Sequence, residues 1–241
     1  MGRDDLAWGH ALLLRDHVGI VRRLRIAGWW AMDYAYALYW QARAILGRTD
    51  PASFRSGEAK PIVVIPGVYE TWRFMLPLIR AMHDRGHPVF VVDALNWNNR
   101  PVVEAADLVS AFLAEHDLEG VVLVSHSKGG LIGKYVMSVG REASRVQSML
   151  AVAAPFGGSF YARFMVLPSL RIFAPKNATI LALAHDESVN SRIVSVYGEF
   201  DPHVPAGSEL VGAKNVRLDT GGHFRVLAHP RVMAELAALA E

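Results

Sequence analysis

Val121-Val122-Leu123-Val124-Ser125-His126-Ser127-Lys128-Gly129-Gly130-Leu131-Ile132-Gly133 opens with four aliphatic residues in a row, passes through small and polar residues, and turns apolar again. An aliphatic run without alternation fits a strand buried on both faces, as in a parallel sheet covered by helices. The small residues read as a tight turn with Ser127 at its tip, and a helix from about Lys128 to Val139 follows at once. A serine held at the carboxyl end of a strand and above a helix N-terminus is a candidate nucleophile.

Outward from this stretch the same pattern repeats. Pro61–Ile65, Pro88–Val92, Val146–Ala153, Ile193–Tyr197 and Val216–Leu218 read as further buried strands. Trp72–Arg85, Val102–His116 and Phe224–Leu239 read as helices between or after them. The expected fold is α/β, a doubly wound and mostly parallel sheet of about six strands. One connection is too long for such a fold. Residues 155–191 form an insertion rich in apolar groups, among them Phe156, Phe160, Tyr161, Phe164, Met165, Leu167, Leu170, Ile172 and Phe173. Loops of this length are usually functional, so a lid is expected there, and its apolar groups either cap the core or line an acyl pocket.

Residues 5–46 read as two helices broken at Gly28, followed by a polar linker, Thr49 to Glu58. The chain is therefore divided into a helical extension with its linker, 1–58, and a main domain, 59–241. The second helix is crowded with Trp and Tyr, but Asp33, Gln41 and Arg43 interrupt it, which disfavours a membrane span. Packing of these rings on the domain or on a second copy is preferred, with peripheral membrane contact through residues 27–47 as the alternative.

With 241 residues, 52% of them hydrophobic, the chain can bury one substantial core. A formal charge of +2, with basic residues dispersed apart from Arg22-Arg23-Arg25, gives no dense basic face, so nucleic acid is not expected as a partner. There is no cysteine, which excludes disulfides, thiolate catalysis and cysteine-held zinc. His116, His126, His185 and His203 show no metal-ligand spacing and are read as surface or supporting groups; neither metal nor cofactor is expected. The start of the chain lacks the pattern of a secretory signal, so the expected location is cytoplasmic, with membrane association left open. Oligomeric state is not readable.

Ser125-His126-Ser127-Lys128-Gly129-Gly130 resembles the nucleophile elbow of the α/β-hydrolase family, in particular its bacterial lipases and esterases. Ser125 is a departure, because glycine is usual there. That family orders its catalytic residues serine, acid, histidine. The resemblance accordingly implies Ser127 as nucleophile, Asp201 in Gly198-Glu199-Phe200-Asp201-Pro202-His203-Val204-Pro205 as the acid, and His223 in Thr220-Gly221-Gly222-His223-Phe224 as the base. Asp186, Glu187 and Asp219 are weaker candidates for the acid. For the oxyanion it implies the backbone N–H of Lys128 and that of Val68, in a loop whose Pro66 stands where lipases carry histidine, with Tyr69 as an alternative by a one-residue shift. The Lys128 side chain itself is expected in solvent. Ala154-Pro155-Phe156-Gly157-Gly158-Ser159 is similar to the stretch that opens the lid region of several lipases. The likeness covers roughly residues 60–241 and implies a serine esterase or lipase acting on a small-molecule or lipid ester through an acyl-enzyme. An acyltransferase or thioesterase with the same residues, and a non-catalytic membrane-associated protein of the same fold, are the rival expectations.

Overall fold

The computed structural model describes residues 3–164, 168–171, 173–174 and 176–241, with side chains described outside 3–19 and 163–169. In chain order the elements are α1 (Arg3–Leu46), β1 (Ile62–Ile65), α2 (Leu76–His83), β2 (Val89–Val91), α3 (Val102–Glu115), β3 (Val121–His126) and α4 (Lys128–Val139). There follow β4 (Val146–Val152), α5 (Pro168–Arg171), α6 (Ala178–His185), β5 (Ile193–Phe200), β6 (Lys214–Gly221) and α7 (Pro230–Ala240). Every expected strand is present, and β5 and β6 run beyond their expected ends.

The six strands form one sheet in the order β2-β1-β3-β4-β5-β6, and every pairing is parallel. Parallel neighbours need crossovers, which place helices on both faces. Successive residues of β3 feed opposite layers. Val121 and Leu123 join Val109 and Leu113 of α3 and Ile132 of α4 on one side. Val122 and Val124 join Ile79 and Met82 of α2 and Val232 and Leu236 of α7 on the other. Each such side chain contributes about 1.5–3 kcal/mol on burial, which explains why the aliphatic runs dictate the sheet.

Three local differences from the sequence reading have physical reasons. Gly28 does not end a helix: α1 runs unbroken past it, since one glycine costs only about 1 kcal/mol relative to alanine. Short 3-10 turns, Trp72–Met75 and Arg225–Ala228, precede α2 and α7, and each of these helices has proline in its first turn, Pro77 and Pro230. Proline has no N–H to extend a preceding turn but suits a helix start. The linker is also anchored, because Asp50 caps a turn at Pro51–Phe54 and Phe54 is buried edge-on to Trp72.

α1 lies against the domain, burying Trp29, Asp33 and Ala44, while Tyr36 and Trp40 pack on the α2/α7 layer. No helix among the described residues is long and apolar enough to cross a membrane. In the insertion, Phe156, Ala162 and Phe173 are buried. Met165, Leu167, Ile172 and the side chain of Phe164 lie outside the described residues.

Candidate active site

Ser127 occupies the turn between β3 and α4 with φ 51° and ψ −119°, a left-handed conformation that costs a non-glycine residue of order 1–3 kcal/mol. The surroundings hold it there. Its N–H donates to the Val152 carbonyl at 2.9 Å, and a Cβ on Gly129 would stand 2.2 Å from the Ile65 carbonyl oxygen. Glycine two residues after the serine is thus required by the close approach of α4 to β1. Two residues before it, the unusual Ser125 is fully buried and its hydroxyl donates to the Leu150 carbonyl at 3.2 Å, so the extra polar group is satisfied.

Asp201 and His223 come to the same place from the ends of β5 and β6. His223 Nε2 lies 2.9 Å from Ser127 Oγ, and His223 Nδ1 lies 2.8 Å from Asp201 Oδ2. All three residues are buried. The other oxygen of Asp201 accepts the N–H groups of His203 and Val204 at 2.7 and 2.9 Å. Burial alone would raise the Asp201 pKa; the His223 ring and these hydrogen bonds outweigh it and hold the carboxyl below its usual value. An ionised Asp201 fixes the His223 tautomer with hydrogen on Nδ1, leaving Nε2 free to accept from the serine hydroxyl. Of the competing acids, Asp219 is exposed on β6, while Asp186 is turned to the N–H and hydroxyl of Ser188.

The loop that carries His223 is held from two sides. Asp33 of α1 accepts the N–H of His223 on one oxygen at 2.9 Å, and those of Phe224 and Arg225 on the other at 2.8 and 2.7 Å. Gly221 and Gly222 permit this approach: a Cβ on either would lie 2.4 Å from the Trp29 ring or from Asp33 Oδ1. From below, His126 Nε2 meets the His223 carbonyl at 3.0 Å, and its Nδ1 meets Glu70 Oε2 at 2.9 Å. Burial by itself would lower the His126 pKa, but the Glu70 carboxylate reverses the shift and the pKa is raised.

The same Glu70 oxygen accepts the Gly67 N–H at 2.8 Å, which ties the His223 loop to the loop proposed for the oxyanion. That loop is further fixed by Gln41 of α1 donating to the Tyr69 carbonyl and by Asn98 donating to the Pro66 carbonyl. Lys128 corrects an expectation. Its side chain is fully buried, and Nζ donates to the carbonyls of Asn98, at 2.7 Å, and Arg100. Burial lowers its pKa to about 8, against the pull of Glu104. Its backbone N–H begins α4, where no intrahelical acceptor exists.

No family model matches the chain, and no curated protein matches it in sequence. Solved structures do. A Bacillus licheniformis lipase in its mature form aligns over 81% of this chain and 95% of its own, with TM-score 0.62 and 15% identity. An alpha/beta hydrolase enzyme from the metagenome of Mar Chica lagoon sediments, Morocco, aligns over 76% and 90%, with TM-score 0.54 and 17% identity. The enol-lactonase of Burkholderia xenovorans aligns over 76% and 92%, with TM-score 0.52 and 14% identity.

The fold is that of the α/β-hydrolases.

On this α/β-hydrolase fold Ser127 and His223 open into a cavity of about 560 Å³, with Asp201 behind His223. That volume lies in the range of small-molecule sites. Its walls are mostly apolar: Val68 and Phe74 beside the serine, Leu170 and Phe173 from the insertion, Tyr34 and Leu38 from α1. Phe173 of the insertion belongs both to the core and to this wall. The contribution of α1 was not foreseen. The sequence reading uses Asp33 and Gln41 only as interruptions of an aromatic helix, although Asp33 is the sole acidic residue between His17 and Thr49. An isolated acid in such a segment is a usable signal, because it is seldom buried without a partner. Glu70, three residues after Gly67, carried no signal of its own.

Proposed function

We propose that the protein is a serine hydrolase that cleaves carboxylic esters of apolar acyl groups. The observation that carries this reading is the hydrogen-bonded chain from Asp201 through His223 to Ser127 Oγ, opening into an apolar cavity. Ser127 Oγ attacks the carbonyl carbon while His223 Nε2 takes the hydroxyl proton, and Asp201 stabilises the resulting imidazolium. The oxyanion is met by the N–H groups of Val68 and Lys128. Collapse expels the alcohol, which takes the proton from His223 and leaves an acyl-Ser127 ester. Water, deprotonated by His223, then releases the acid and restores the serine. The lipase, the alpha/beta hydrolase and the enol-lactonase that share the fold support the reaction class without fixing it.

Labelling with a fluorophosphonate probe tests the reading. The folded protein is expected to be modified at Ser127, and an unmodified Ser127 in folded protein would overturn it in favour of a non-catalytic protein. Turnover of p-nitrophenyl esters of increasing chain length is expected to exceed that of the matching acyl-CoAs. Equal or faster acyl-CoA turnover would instead indicate a thioesterase or acyltransferase.

A further inference from the structure

The inner face of α1 is accounted for by the domain, but its outer face is not. Val21, Leu24, Met32, Leu38, Tyr39 and Leu46 are exposed, at 71% for Leu38 and 79% for Leu46. Their spacing places them along one side of the helix, with the small exposed residues Gly28, Ala31, Ala35 and Ala42 filling the same stripe. Single exposed apolar residues need no explanation, whereas a continuous stripe marks a surface that meets something apolar. The exposed charges of α1 from residue 20 onward are all arginines. From residue 20 to 49 the charged residues are Arg22, Arg23, Arg25, Arg43, Arg48 and Asp33, and only Asp33 is buried. Arg25 pairs with Glu199, and the other four arginines are also exposed.

We propose that this face of α1 docks on an anionic lipid surface, the helix lying in the plane of the interface. An apolar stripe bordered by arginines suits lipid acyl chains flanked by acidic headgroups. A second copy of the chain suits it less well, because a two-fold contact along this stripe sets arginine against arginine. The docking also has a direction. Leu38 belongs both to the stripe and to the lining of the cavity, and Tyr161, half exposed, lines the same cavity. The stripe therefore runs beside the cavity that contains Ser127, and a docked helix brings that cavity to the lipid. Binding is independent of the esterase reading; delivery of a lipid ester to Ser127 rests on it.

The test is flotation of the full chain with phosphatidylcholine vesicles, with and without phosphatidylglycerol. The chain is expected to float with the anionic vesicles. Leu24→Gln/Met32→Gln/Leu46→Gln, three exposed positions away from the cavity, is expected to weaken binding at least about tenfold while circular dichroism and turnover of a water-soluble short-chain ester stay unchanged. Arg23→Gln/Arg43→Gln is expected to lose about fivefold per arginine, on anionic vesicles only. Failure of the chain to float, or flotation of the leucine and methionine variant equal to the parent, would overturn the proposal. So would a dimer in light scattering that this variant splits while the parent does not float, since the second copy then covers the stripe. Flotation needs no turnover, so loss of the esterase reading alone leaves this result intact.

Discussion

Asp33 and His223 stand 190 positions apart in the chain, and the carboxylate of the first accepts the backbone N–H of the second at 2.9 Å. The same carboxylate holds the next two N–H groups, so the turn that aims the His223 ring is fastened to α1 as well as to its own strand, where Arg225 donates to Thr220. Removing the acceptor leaves buried N–H groups unpaired, at about 1–3 kcal/mol each before relaxation. Asp33→Ala is expected to lower stability by about 2–4 kcal/mol. It is also expected to reduce kcat about ten- to a hundredfold with little change in KM, because misplacing the base affects the transition state more than binding. Urea unfolding and p-nitrophenyl ester kinetics check both. An unchanged kcat would remove Asp33 from the positioning of His223.

The left-handed backbone of Ser127 separates strain from chemistry. Ser127→Ala and Ser127→Gly both delete the hydroxyl, and both are expected to abolish ester turnover. Only glycine adopts φ 51° without penalty, so the glycine variant is expected to be about 1–2 kcal/mol more stable than the alanine variant. Thermal melts of the two decide it, and equal midpoints would mean that the turn stores no strain.

Two histidines beside His223 give stability opposite dependences on pH. Burial and the neighbouring His223 lower the His203 pKa to about 4 from 6.5. Between these values the unfolded chain binds more protons, so stability falls as pH drops from about 6.5 to about 4, by at most about 3 kcal/mol. His126 is raised above 6.5, against its burial, by Glu70. Its contribution is complete below 6.5 and is lost as pH rises through the raised value. Urea midpoints from acid to mildly alkaline pH are expected to trace a maximum. His203→Gln should flatten the acid limb, and His126→Gln the alkaline limb with lower stability throughout. A parent profile that His203→Gln leaves unaltered would contradict the assignment of the acid limb.

The sheet was legible because each strand announces itself locally: Ile62-Val63-Val64-Ile65 and Val121 to Val124 need no distant partner to be read as doubly buried. Ser127, Asp201 and His223 were legible because each sits in a short turn at the carboxyl end of a strand, where the fold gathers its loops. What α1 does at the site, beyond packing its rings on the domain, was not legible. The links Asp33 to His223, Gln41 to Tyr69 and Tyr34 to His203 join residues far apart in sequence, and no periodicity records them. Lys128 misled for a related reason. A lysine after a turn reads as solvated, and only the folded Asn98–Arg100 segment offers the carbonyls that let it be buried.

The bare backbone of Gly221 and Gly222, against which Trp29 and Asp33 rest, also bears on the order of assembly. The sheet grows from neighbours in sequence, but the His223 turn closes only when the first helix of the chain meets the last strand, a contact with a large loop-closure cost. Refolding is therefore expected to restore the circular dichroism of the sheet before it restores activity. The interval between the two is the time α1 takes to find its seat.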